Sequence, residues 1–138
     1  MFSLLLGHLV GDFLLQNKWM SEKKTQSSFR CVVHCTVYTV AVCVVCPLPG
    51  WQWPLLVFLS HYFIDRYSLA EKWLKLINGR TLNGFLKRGH LGIEAEDYET
   101  NMNYRILRGG FNSLVYCAAD NTMHLLLMYY GYRLLSKT

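Results

Sequence analysis

The sequence predicts an all-α integral membrane protein, a four-helix bundle with a cytoplasmic amphipathic extension and loop. Three observations predict it. Of 138 residues, 52% are hydrophobic and only 17% charged. A soluble domain of this length buries roughly 70% of its unfolded surface and needs charge to cover the rest. The apolar residues collect in four segments, about 2–16, 27–46, 54–66 and 111–135. Twelve of the 14 Lys and Arg lie in two blocks, Lys18 to Arg30 and Arg66 to Arg108, with none between the second and third segments. The length sets one domain at most, and the composition excludes a disordered tail.

The first segment, Phe2 to Gln16, reaches about 22 Å as a helix at ~1.5 Å per residue, so it thins the bilayer or enters without a clean crossing. It has no basic flank, and His8 and Asp12 interrupt it, which argues against a signal peptide. The second, Ser27 to Cys46, leads into an uncharged turn, Pro47 to Pro54, whose Trp51 and Trp53 suit an aromatic belt. The third runs from Pro54 to Ile64. It is expected to continue out of the membrane as a surface helix, because Tyr67, Ala70, Trp73, Leu74 and Ile77 recur at helical spacing among charged residues. Asn78 and Gly79 end it.

Arg80 to Gly110 reads as a solvated, glycine-punctuated loop holding the acidic cluster Glu94, Glu96, Asp97 and Glu99. Phe111 to Leu135 offers 25 residues against the ~20 needed to span a hydrocarbon core. The excess of basic residues in the loops after segments one and three places both loops in the cytoplasm and both termini outside. No basic stripe follows a helix face, so the net charge of +5 reads as an orientation signal and no nucleic-acid partner is expected. The five cysteines are odd in number, lack CxxC spacing and lie in or beside apolar segments, so they are read as small apolar fillers.

Four of the five histidines (His8, His34, His61, His124) and three of the four aspartates (Asp12, Asp65, Asp120) fall within these apolar segments. An Asp at the centre of a membrane helix costs ~2.5–3.5 kcal/mol on insertion scales, so each needs a partner. The pairs His8 and Asp12, His61 and Asp65, and Asp120 and His124 are each four residues apart and share one face of their helix. Imidazole nitrogen and carboxylate oxygen converging from several helices are the donors that inward-facing bundle sites use to hold metal. The expected ligands are therefore His8, Asp12, His61, Asp65, Asp120 and His124. His34 is a ligand or general acid, and Gln16 or Asn121 orients water or substrate. This donor set suits zinc, manganese or iron better than calcium. A purely structural polar core and a proton or ion relay are the other readings of the same residues.

The run Leu4-Leu5-Leu6-Gly7-His8-Leu9-Val10-Gly11-Asp12-Phe13-Leu14-Leu15-Gln16, followed by Trp19 and Lys23, resembles the amino-terminal signature of a bacterial and phage membrane family, domain of unknown function 3307 (DUF3307). His34 is similar to that family's second-helix histidine. Leu59-Ser60-His61-Tyr62-Phe63-Ile64-Asp65 resembles its His-Phe-Leu-Ile-Asp block. Asp120 to His124 with Leu125-Leu126-Leu127 resembles its Asp-Gln-x-x-His-Leu-Leu block, with Asn121 in place of Gln. The resemblance covers the four apolar segments and implies a bacterial inner-membrane location; the family name implies no activity. Gly7 and Gly11 then read as positions of close helix packing.

The function expected is a metal-dependent hydrolase acting on a phosphoester or other polar bond at the cytoplasmic membrane surface, with the bilayer as its setting and a lipid-derived or small polar substrate. The alternatives are a relay or transporter of protons or divalent ions, and a phage or mobile-element accessory protein that engages a membrane partner through Arg80 to Gly110.

Overall fold

The computed structural model describes residues 2–21, 24–78 and 98–137, and every element among them is helical. In chain order they are α1 (Phe2–Leu9), extended by a π-helical turn (Val10–Leu14), α2 (Lys18–Ser21), α3 (Ser28–Val45), α4 (Gln52–Tyr67), α5 (Leu69–Asn78) and α6 (Tyr98–Leu135). Packing divides the chain into two compact units. The first is Met1–Leu69 with Asn121–Thr138, and the second is Ala70–Asp120.

The first unit is built on α3. Its buried residues Cys31, His34, Cys35, Tyr38, Thr39, Ala41 and Val42 recur at helical spacing, and the Ser27 hydroxyl accepts the Arg30 amide at its start. α1 lies against α3 because two glycines allow it. A Cβ at Gly7 would stand 3.1 Å from the Val42 Cα, and one at Gly11 would stand 2.6 Å from the Tyr38 ring. The turn from α3 to α4 is pinned by Trp53, whose indole N–H donates to the Cys46 carbonyl at 2.9 Å. Gly50, at φ 94°, takes the left-handed conformation this turn requires. Leu4, Tyr38, Val42, Cys46, Trp53, Val57 and Met128 form the apolar core.

Three differences from the sequence reading have physical causes. The third helix does not run on to Ile77. It stops at Ser68, which adopts φ 48°, ψ 51° and returns its amide to the Asp65 carbonyl. The last helix begins at Tyr98, within the stretch read as loop. Gly109 and Gly110 do not break it, since a glycine inside a helix costs only ~1 kcal/mol relative to alanine. Residues 79–97, which include Glu94, Glu96 and Asp97, lie outside the described residues.

The third difference concerns the membrane. Among the described residues one helix, Ser28–Val45, is long and apolar enough to cross, and Phe2–Leu14 is apolar but shorter. The sequence reading expects four crossings. The 16 residues of α4 span about 24 Å against a core of about 30 Å. The segment from Phe111 to Leu135 is long enough but carries Asn112, Asp120, Asn121 and His124.

Candidate metal centre

Successive turns of four helices build the site. On α1 the inward face reads Leu4, His8, then Asp12; on α3 it reads Val42, Tyr38, His34; on α4 it reads Val57, His61, Asp65; and α6 adds Met128 and then His124. Each helix thus passes from an apolar turn to a polar one, and the polar turns meet. His8, His34, His61, Asp65 and His124 are all at most 3% exposed.

Four atoms converge. His34 Nε2 lies 2.9 Å from His61 Nε2. Asp12 Oδ1 lies 3.2 Å from His34 Nε2 and 3.3 Å from His61 Nε2, and Asp65 Oδ2 stands at the same two distances. Ligands bonded tetrahedrally at 2.0–2.1 Å are separated from one another by about 3.3 Å, so these contacts are of ligand-to-ligand size, and the sets whose atoms all lie within reach of one another are Asp12, His34 and His61, and His61, Asp65 and His124. Asp12 Oδ1 is buried and makes no hydrogen bond, although two imidazole nitrogens approach it. A buried carboxylate oxygen in that position is costly unless something positive satisfies it. The buried histidine and aspartate side chains could hold a metal ion.

The π-helical turn serves this geometry. The Leu15 amide reaches back to the Val10 carbonyl at 3.0 Å, five residues earlier, and the widened turn carries Asp12. One of its oxygens faces His34 and His61 while the other stays 3.4 Å from His8 Nδ1. Turns of this kind are frequent at functional sites.

A second layer holds the first. His61 Nδ1 meets His124 Nδ1 at 3.0 Å, and His124 Nε2 lies 3.5 Å from Asp65 Oδ1. His61, Asp65 and His124 also form a group compact enough to take an ion. The His8 Nε2–H donates to Asn121 Oδ1 at 2.5 Å, and His8 Nδ1 lies 2.8 Å from the Tyr38 hydroxyl. Tyr38 stacks on His61 with ring centroids 3.6 Å apart and donates to the Met128 sulfur. The Gln16 amide nitrogen approaches His34 at 3.3 Å from the more exposed end. Partners of this kind fix the tautomer and the plane of a ligating imidazole.

Of the residues expected from the sequence, the structure brings together His8, Asp12, Gln16, His34, His61, Asp65, Asn121 and His124. Asp120 belongs to the second unit, where it is half-buried. Two contributors escaped the sequence reading. Tyr38 lies four residues after His34 and so on the same face of α3, but a tyrosine in an apolar segment carries no mark of a site. Lys24, read as an orientation charge, places Nζ 2.8 Å from Asp65 Oδ2; it sits in a turn, where no helical spacing could point to it. Cys31 and Cys35, buried with sulfurs 3.8 Å apart, are free thiols.

Fold and site together define an all-helical protein whose first unit encloses a histidine and carboxylate cluster able to hold a metal ion. A family model described as "Protein of unknown function (DUF3307)" matches residues 1–136. The chain belongs to that family. Searches of curated proteins and of solved structures return no significant match.

Proposed function

We propose that the protein is a membrane-embedded metalloprotein that hydrolyses a phosphoester or other polar bond at the cytoplasmic surface of a bacterial inner membrane. The observation that carries this reading is the convergence of Asp12 Oδ1, His34 Nε2, His61 Nε2 and Asp65 Oδ2 at coordination-shell spacing. These four hold the ion; zinc, manganese and iron suit the donors. His124 and His8 orient them, and Gln16 stands where a substrate would enter. A divalent ion supplies Lewis acidity, polarising an oxygen and making water acidic near neutral pH.

Placement in a bilayer is supported by an inverted surface. Phe2, Leu14, Val44 and Leu134 are each at least 70% exposed, while the imidazoles lie inside. An apolar exterior of this extent suits lipid. With four crossings, both basic loops face the cytoplasm and both termini face outward.

The relay reading loses ground to the layer of Leu4, Val42, Trp53, Val57 and Met128. It packs against the cluster on the side away from Gln16, where a relay would need polar groups. The test is to reconstitute the metal-loaded protein in liposomes and follow both hydrolysis of lipid phosphates and ion flux. Hydrolysis that depends on metal, without flux, is expected. Metal-dependent flux without hydrolysis would overturn the enzyme reading.

A further inference from the structure

We propose that Lys24 is the anion-binding residue of this site: it leaves Asp65 when an ion enters the ligand set and then shares with that ion an oxyanion of the phosphate class. The inference rests on the metal reading above and specifies what the site takes.

Lys24 has an unusual neighbour for a residue at the rim. Its side chain is 18% exposed, yet Nζ lies 2.8 Å from Oδ2 of Asp65, whose own side chain is 1% exposed. That oxygen is also one of the four converging atoms, 3.2 Å from His34 Nε2 and 3.3 Å from His61 Nε2. An ion bonded to Oδ2 would face the ammonium across a single oxygen atom, and two cations so placed repel strongly where water is scarce. A flexible lysine can relieve this by turning away. An anion with several oxygens relieves it better, giving one oxygen to the metal and another to the ammonium.

The surroundings choose the class of anion. Among the described residues of the first unit, Asp12 and Asp65 are the only carboxylate side chains, and both are committed to the cluster. Lys24, Arg30 and Arg66 stand at the same end, through their contacts with Asp65, Trp19, Thr25 and Ser28. Arg66 holds the Lys24 turn in place by contacting the Thr25 carbonyl, and its Nε–H donates to the Ser28 hydroxyl at 3.2 Å. Arg30 donates to the Trp19 carbonyl and lies 4.9 Å from the centre of its ring. An entrance with this excess of positive charge draws in anions and repels cationic groups.

The full chain is purified in detergent as wild type, Lys24→Met and Lys24→Arg. Manganese affinity is measured by chelator competition. Binding to the manganese-loaded protein is then followed for inorganic phosphate by equilibrium dialysis, and for nanodiscs containing phosphatidic acid against phosphatidylcholine alone. Lys24→Met is expected to bind manganese at least as tightly as wild type. Its phosphate binding should weaken by about 10- to 100-fold, the effect of losing one charge-assisted contact, and Lys24→Arg should keep most of it. Lys24-dependent binding of both probes assigns the phosphate group itself, and of nanodiscs alone a lipid headgroup; either supports the proposal. Binding of neither probe, or binding that is equal in Lys24→Met and wild type, overturns it while leaving the metal reading intact. Manganese affinity that collapses in Lys24→Met also overturns it, making the lysine a structural counter-ion. A wild-type protein that takes up no metal defeats the underlying reading instead.

Discussion

One helical turn separates two kinds of interior in the first unit. On one side Leu4, Val42, Trp53, Val57 and Met128 pack as an ordinary apolar core. On the other, His8, Asp12, His34, His61, Asp65 and His124 fill the same helices' next turns with groups that are expensive to bury. The apolar turn holds the helices together, and its removal should cost stability. The polar turn is held in the metal-free chain by contacts such as Lys24 with Asp65, but the cost of burying its charged groups offsets much of what those contacts return. Its substitution should cost ligand binding instead. The two turns differ in the kind of loss they produce.

The sharpest break of this comparison is Trp53→Ala. Deleting a side chain that is 1% exposed should lower the free energy of unfolding by about 3–5 kcal/mol, while the metal bound per folded chain stays unchanged. Asp65→Asn should cost the metal. It removes a charged donor, so metal affinity in chelator competition should drop by more than about 100-fold, beyond the 10–100-fold typical of outer partners. The thermal stability of its metal-free form should fall as well, because Lys24 and the facing imidazoles lose the carboxylate they share. His124→Gln, which loosens His61 and Asp65 without touching the four converging atoms, should lower metal affinity by about 10–100-fold. Tyr38→Phe keeps the ring stacked on His61 and deletes only the hydroxyl between His8 and Met128; it should change affinity by less than about tenfold. A Tyr38→Phe effect as large as that of Asp65→Asn would mean that the polar turn works as one cooperative network rather than as ligands with supports.

What the sequence made legible follows from periodicity. His8 with Asp12 and His61 with Asp65 could be placed on common faces because four residues nearly complete a helical turn, and burial in apolar segments marked them as needing partners. Gly7 and Gly11 were legible for the same reason, and the structure shows α1 lying on α3 through them. Lys24 was not, because it reaches Asp65 from a turn 41 residues away in the chain. The π-helical turn at Val10–Leu14, which carries Asp12, has no proline or other strong mark in the sequence. The break at Ser68 was hidden because the apolar spacing continues across it, and the helical stretch before Phe111 because its polar residues carry no stripe.

The central claim is that the polar turn holds a metal ion. The most direct measurement is the metal content of the detergent-purified chain by elemental mass spectrometry, for wild type and for Asp12→Ala and Asp65→Ala. The account predicts about one transition-metal ion per wild-type chain, as four converging donors imply, and its loss in both variants. A wild-type protein free of metal after growth and purification with zinc, manganese and iron supplied, or stoichiometric metal retained by both variants, would contradict it.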